Sequence, residues 1–345
     1  MKKAAGHVNS ALQRAAGLVL CLACALSATS CEPSYPKEKL PSAVKEVCKN
    51  EYNMDVDVAV FGTTMGLYYP MEGLLDAGMG ISEKAWDRIS DLLLVASRIV
   101  LSTDANIQFY CVVTQDRRLP ELQVVIIKYV DDVKRSMVRN ISRNEAFKRT
   151  LFSINLTPQA EKERSVEQAF NRLGVDDGIR QKVLEEFFRS PPAKLSDVGY
   201  WKGDFYLKDI TLAEFLAEQI VNRIKTDFRS DAELLKKFNF INAEGSYIEE
   251  NDKGSFFVSF KIADHGPSKE PGEKIKEKIK EVIRVANEVT NGYGFKDFDF
   301  LVLEDQLENT RFTVSGEDTY SFHAEKPMVE DITKVVKGQI SGTSM

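Results

Sequence analysis

Ser255-Phe256-Phe257-Val258-Ser259-Phe260-Lys261-Ile262-Ala263 decides the fold class. Phe256, Val258, Phe260 and Ile262 alternate with Phe257, Ser259 and Lys261. A period of two is that of a strand with one main face on a core, as in an antiparallel sheet. Phe238 to Glu249 reads as its partner strand, across the turn Glu250-Asn251-Asp252-Lys253-Gly254. Downstream the period changes. Ile275, Ile279, Val282, Ile283, Ala286 and Val289 form one face of a helix from Gly272 to Thr290, stopped by Asn291-Gly292. Lys296 to Glu304 and Thr310 to Val314 return as strands, with Thr319 to Phe322 as a continuation. Upstream, Thr211-Leu212-Ala213-Glu214 has the form of a capping box opening a helix to Phe228.

The same order occurs earlier in the chain. Ser42 to Tyr52 reads as a helix with Val44, Val47, Cys48 and Tyr52 on one face. Strands Asp55 to Phe61 and Met65 to Tyr69 follow, then a helix capped by Ser82. Strands Ile107 to Thr114 and Leu122 to Tyr129 close this unit. The expectation is an α+β fold: two helix-strand-strand-helix-strand-strand units with antiparallel sheets, whose repeated order raises a tandem duplication. Residues 131 to 210 read as a helical connector. Ser142-Arg143-Asn144-Glu145 and Thr157-Pro158 open helices there, and Pro191-Pro192 stops another. The expected segments are 1–30 (signal), 31–41 (tether), 42–130 (first α+β domain), 131–210 (connector), 211–325 (second α+β domain) and 326–345 (tail).

The formal charge of the chain is −6. An acidic body lacks the electrostatic footprint of a nucleic-acid binder, so no nucleic-acid partner is expected. His265 and His323 are the histidines beyond the first thirty residues, scant material for a metal site. No Gly-x-Ser-x-Gly elbow and no glycine-rich phosphate loop occurs. The carboxylate clusters Asp131-Asp132, Asp176-Asp177 and Glu249-Glu250-Asn251-Asp252 read as two helix starts and a solvated turn. No catalytic residue, metal or cofactor is expected. The densest aromatic run is Tyr200-Trp201-Lys202-Gly203-Asp204-Phe205-Tyr206. Tyr200, Trp201, Phe205 and Tyr206 are candidates for binding a partner surface, or for packing the connector on the second domain. Glu273 to Lys280, rich in helix-spaced ion pairs, reads as a solvated outer face.

The chain begins with Lys2, Lys3 and Arg14 ahead of the apolar run Ala15 to Ala28, too short to span a bilayer. Leu26-Ser27-Ala28-Thr29-Ser30-Cys31 then resembles the lipobox of bacterial lipoproteins, with Ala28 where that class favours Leu. Cys24 also follows small and apolar residues but lies inside the apolar run. The resemblance implies cleavage before Cys31, a diacylglycerol on its sulfur, usually acylation of the new amine, and anchoring in the lipid bilayer. It covers about thirty residues and implies an address, not an activity. Glu32 stands where enteric-type inner-membrane lipoproteins carry Asp, which favours the outer membrane. Glu32 to Pro41, with three prolines and four charges, reads as an extended tether. With Cys31 lipidated, Cys48 and Cys111 remain, and an even pair in an exported chain raises a disulfide, the other outcome being two buried thiols.

The functional expectation is a non-catalytic envelope lipoprotein that binds or braces another envelope protein or component. One alternative is a periplasmic ligand carrier with its pocket between the domains. The other is an envelope hydrolase using dispersed carboxylates. On the lipobox resemblance, Cys31→Ala abolishes incorporation of labelled fatty acid and releases or stalls the protein. A mature N-terminus found by mass spectrometry to be unmodified, or to start elsewhere, would refute the anchor.

Overall fold

The computed structural model describes residues 35 to 322, apart from 79, 157, 190, 191, 193 and 266 to 270. The signal, Cys31 and the tail from 323 lie outside the described residues. The fold is α+β.

Helix α1 (Leu40–Tyr52) has Pro41 in its first turn and ends at Asn53 in the left-handed conformation, φ 52°. Strands β1 (Asp57–Phe61) and β2 (Thr64–Met71) form a hairpin. Helix α2 (Glu83–Val100) starts where the Ser82 hydroxyl accepts the Ala85 N–H. It carries the chain to β3 (Phe109–Asp116) and β4 (Leu119–Tyr129). Then come α3 (Val130–Met137), α4 (Arg143–Lys148, capped by Ser142) and β5 (Leu151–Leu156). Helices α5 (Pro158–Leu173) and α6 (Asp177–Arg189) follow, then the small hairpin β6 (Gly199–Trp201) and β7 (Asp204–Tyr206).

Helix α7 (Leu212–Ser230) opens with the capping box, the Thr211 hydroxyl accepting from Glu214 N–H and the Glu214 carboxylate from Thr211 N–H. A short helix α8 (Ala232–Lys237) precedes β8 (Phe238–Glu250) and β9 (Lys253–Asp264). Helix α9 (Pro271–Tyr293) ends at Gly294, φ 66°. Strands β10 (Phe300–Asp305) and β11 (Thr310–Ser315) and helix α10 (Gly316–Tyr320) complete the described chain.

The first sheet runs β1-β2-β3-β4-β5, the second β11-β10-β9-β8. Each has a parallel pair at its centre, β2 with β3 and β9 with β10, flanked by antiparallel pairs. Both sheets are antiparallel-rich, as expected, and each contains one parallel pair besides. Each inner pair is joined by a helix, and a helical crossover returns the chain in the same direction, whereas a tight turn reverses it.

The layers are helix, sheet, helix, sheet. Leu40, Val44 and Cys48 of α1 and Leu92, Ala96 and Ile99 of α2 pack on Met65, Leu67, Tyr110 and Val112. The opposite face of that sheet, with Phe109, Cys111, Val113, Val125 and Ile127, joins the cluster that holds α7, α9 and the inner face of the second sheet. Phe215 of α7 lies 5.3 Å from Phe109, ring centre to ring centre. On the other side, β8 crosses α7 at Gly245, where a Cβ would lie 2.6 Å from the Ala217 carbonyl oxygen. One buried cluster therefore joins both sheets through α7.

Several expectations change. Cys48 and Cys111 lie in clusters on opposite faces of the first sheet and are free thiols. The face to which Cys111 points is covered by α7 and not by α1, so the expected bridge is absent. Burial pushes the Cys48 thiol up to about 11 and the Cys111 thiol up as well. The connector holds three strands besides its helices. Leu40 is buried and begins α1, and the Tyr35 and Lys37 N–H groups bond Ser102 O and Asp104. The second half of the expected tether is thus docked on the body. Lys278 is not on a solvated face: it is buried, with its ammonium 3.0 Å from the buried Asp305. Thr319 lies in α10, capped by Ser315, and not in a strand.

Phe215→Ala should cost about 3–5 kcal/mol, the usual range for emptying a buried phenylalanine site. Because α7 serves both sheets, far-UV dichroism and tryptophan fluorescence should still report one coincident melting transition. Two separated transitions in the parent protein would show that the shared core does not couple the halves.

Candidate functional site

Strand β4 places Leu122, Val124 and Ile126 in the layer beneath α2, and the next residue in phase is Lys128. A cation thus stands where the alternation calls for an apolar side chain. Helix α2 stops short of covering β5, so Phe152 and Ile154 remain 40 % exposed. Trp86 closes on Phe152 edge-on, centroids 6.2 Å apart. Helix α4 forms the opposite wall with Ala146 and the exposed Phe147, and α7 contributes Asn222, Arg223 and Lys225.

The result is an open cleft of about 480 Å³, with Trp86, Leu93, Ile126, Phe147 and Phe152 as its apolar surface and Lys128 among its lining. A second hollow of about 350 Å³, between α2, α3 and α4, shares Lys128, Ser136, Ala146 and Thr150 with it. Burial holds the Lys128 ammonium below the ordinary lysine range, and Asp132 opposes the shift. Among the described residues, Lys128, Arg143, Lys148 and Lys225 have no ion-pair partner. The other charged groups of the cleft are neutralised: Arg223 by Glu145 and Asp227 by Arg284, each at 2.7 Å. The cleft therefore presents apolar surface with an excess of positive charge, which suits an anionic group on an apolar body.

Behind the cleft, Arg149 pairs with Asp132 at 2.9 Å and Glu145 at 2.7 Å and lies over the Tyr293 ring at 4.6 Å. The Tyr293 hydroxyl donates to Asp132 at 2.6 Å. Burial raises the Asp132 pKa, while the Tyr293 and Arg149 hydrogen bonds oppose the rise. Asp132 begins a helix as expected, but it is spent on this buried joint.

A third cavity, about 340 Å³, lies on the other face of β5, between β5, α7 and β8. Val125, Ile127, Leu151, Leu195, Val221 and Phe240 line it, with Glu218 as the only carboxyl among the described residues of its lining. Burial raises the Glu218 pKa to about 7, against the pull of Lys194. Lys225 and Arg229 are the charged side chains that line it with Glu218.

Tyr200 and Phe205 of the aromatic run pack on the first sheet, not the second. Tyr200 stacks on Tyr68, centroids 3.6 Å apart and planes 6° from parallel, and donates to Asp57 at 2.8 Å. Phe205 meets Tyr200 edge-on at 5.0 Å, and a Cβ at Gly66 would meet Leu207 and Phe205 within 3 Å. Trp201 and Tyr206 are half-buried. His265 is exposed, and His323 lies outside the described residues. Among the described residues, no group of three metal-ligating side chains forms, and no helix is long and apolar enough to cross a membrane.

Sequence reading missed the cleft. The available signal was Lys128 itself, a charge in phase with Leu122, Val124 and Ile126. Fold and site together define an α+β protein with an open, cation-bearing cleft. No family model, curated protein or solved structure matches the chain.

Glu218 generates a pH dependence. Its folded pKa lies above the unfolded value, so its contribution to stability is fully present below about pH 4.5 and is lost as pH rises through about 7. Glu218→Gln should match the parent at pH 4 and exceed it by about 1–3 kcal/mol at pH 8 in urea unfolding. Equal stabilities at pH 8 would mean that Glu218 is solvated in the folded protein.

Proposed function

We propose that this chain is a non-catalytic binding protein of the bacterial envelope, anchored through lipidated Cys31 and facing the periplasm, on the outer membrane in preference to the inner. Its binding site is the Lys128 cleft, and its partner is an envelope component carrying negative charge on an apolar body. The observation that carries this reading is the Lys128 ammonium, unpaired among the described residues, beside Trp86, Ile126 and Phe152. An unpaired, partly buried cation is costly, and an incoming anion offsets that cost.

The acidic whole-chain charge supports a partner other than nucleic acid. The hydrolase alternative is supported less well, because Asp132 is tied to Arg149 and Tyr293 and Glu218 faces no second carboxyl among the described lining residues of its cavity. The shared strand order and parallel-centre pattern of the two sheets support an origin by duplication.

The test is binding of the anionic apolar dye 1-anilinonaphthalene-8-sulfonate to the full chain carrying Cys31→Ala, followed by energy transfer from Trp86. A charge-assisted hydrogen bond contributes about 1.5–3 kcal/mol, so Lys128→Met should weaken binding by roughly 10- to 100-fold. Lys128→Arg should largely retain it, and Trp86→Phe should remove most of the transfer signal, the remainder coming from Trp201. Dye binding unchanged in Lys128→Met would refute the cleft as the site.

A further inference from the structure

Strand β5 ends the five-stranded sheet and pairs only with β4. The backbone groups on its outer side have no backbone partner among the described residues. Such an edge is a template for another strand, and proteins usually blunt it with charges, proline or a bulge. At the edge of the second sheet β8 follows that practice, with a bulge between Phe240 and Asn242 and an exposed Glu244. On β5, Leu151 to Ile154 carry no charge or proline, and Phe152 and Ile154 are exposed.

The cavities add a second observation. Phe152 turns to the Lys128 cleft, while Leu151 and Ser153 line the Glu218 cavity. Both hollows share Phe152, Asn222 and Lys225. A strand laid beside β5 would follow its period of two. Its side chains would enter the two hollows alternately. One hollow has three unpaired cations of its own, Lys128, Arg143 and Lys148, besides the shared Lys225; the other adds only Arg229, set against Glu218, among the apolar side chains of Val125, Ile127, Leu151, Leu195, Val221 and Phe240.

We propose that the outer edge of β5 receives an extended segment of a partner protein as a sixth strand, with acidic side chains on the Lys128 side alternating with apolar ones on the Glu218 side. This rests on the Lys128 cleft being the binding site and names the class of its partner. Charge selects a foreign segment over a second copy. Pairing β5 with β5 about a two-fold axis would bring the cations of one cleft towards those of the other. It would add like-charge repulsion without a compensating acid.

The test is selection of displayed ten-residue peptides on the full chain carrying Cys31→Ala, followed by synthesis of an enriched sequence. Enriched peptides should alternate apolar and acidic residues at a period of two. Binding should slow hydrogen exchange at residues 151 to 156. N-methylation of alternate peptide amides, in the register that faces β5, should abolish binding to the unaltered protein surface. Ile154→Glu should weaken peptide binding at least ten-fold, because Ile154 is in phase with Phe152 and a carboxylate there repels the acidic side chains, while leaving dye binding unchanged, since Ile154 lines neither hollow. Peptides without the alternation, or binding indifferent to N-methylation, would overturn strand addition even with dye binding intact. Loss of the Lys128 effect on dye binding would overturn the cleft reading beneath it. Dimerisation through β5, abolished by Ile154→Lys, would overturn the partner in favour of a second copy.

Discussion

Helix α7 lies between two sheets, and much of the molecule follows from that placement. A helix on a single sheet needs one apolar stripe, whereas one enclosed on two sides must be apolar around most of its girth. Phe215, Leu216, Ala217, Ile220, Val221, Ile224 and Phe228 supply that surface. The buried polar residue among them, Gln219, donates to the Arg149 carbonyl at 2.8 Å, so its amide is not stranded in the core. Gly245 lets β8 come against the α7 backbone, and a side chain there would push the second sheet away.

The same packing builds the polar joint that fixes the cleft. Arg149 stands between α4 and β5, and its guanidinium binds Asp132 of α3 and Glu145 of α4. Tyr293, at the end of α9, completes the joint from the other half of the chain. Arg223 of α7 shares Glu145. A buried ion pair gives little net stability relative to apolar packing, yet losing one partner costs several kcal/mol because a charge is left buried. Such a joint specifies one arrangement of α3, α4, α7 and α9. That arrangement sets the wall of the cleft opposite Trp86 and leaves Lys128 as the cation the joint does not use.

Local patterns carried much of the fold. The helices of both units, the caps at Ser82, Ser142 and Thr211, and the turn at Asn251 and Asp252 (φ 54° and 61°) stand where the residues imply them. These features depend on neighbours within about one turn of chain, so the residues alone encode them. The short strand β5 was overlooked because Leu151-Phe152-Ser153-Ile154 alternates too briefly among helical signals. The site was less legible. Lys128 is a visible break in an apolar alternation, but Trp86, Phe147, Phe152 and Lys225 come from four separate elements.

The sequence by itself determined the long helices and strands of both units and which side chains of each share a face, but not the short strands of the connector or the last helix. Tertiary structure decided what covers each face. Alternation along Phe109, Cys111 and Val113 says that these residues point the same way, but not that α7 lies there and α1 on the reverse. That choice separated Cys48 from Cys111, buried Tyr200 on Tyr68 and left β5 with an open edge. The physical reason is range. Periodicity records the direction of a side chain relative to its own backbone, whereas burial depends on elements as much as a hundred residues away along the chain, as Phe109 and Phe215 are.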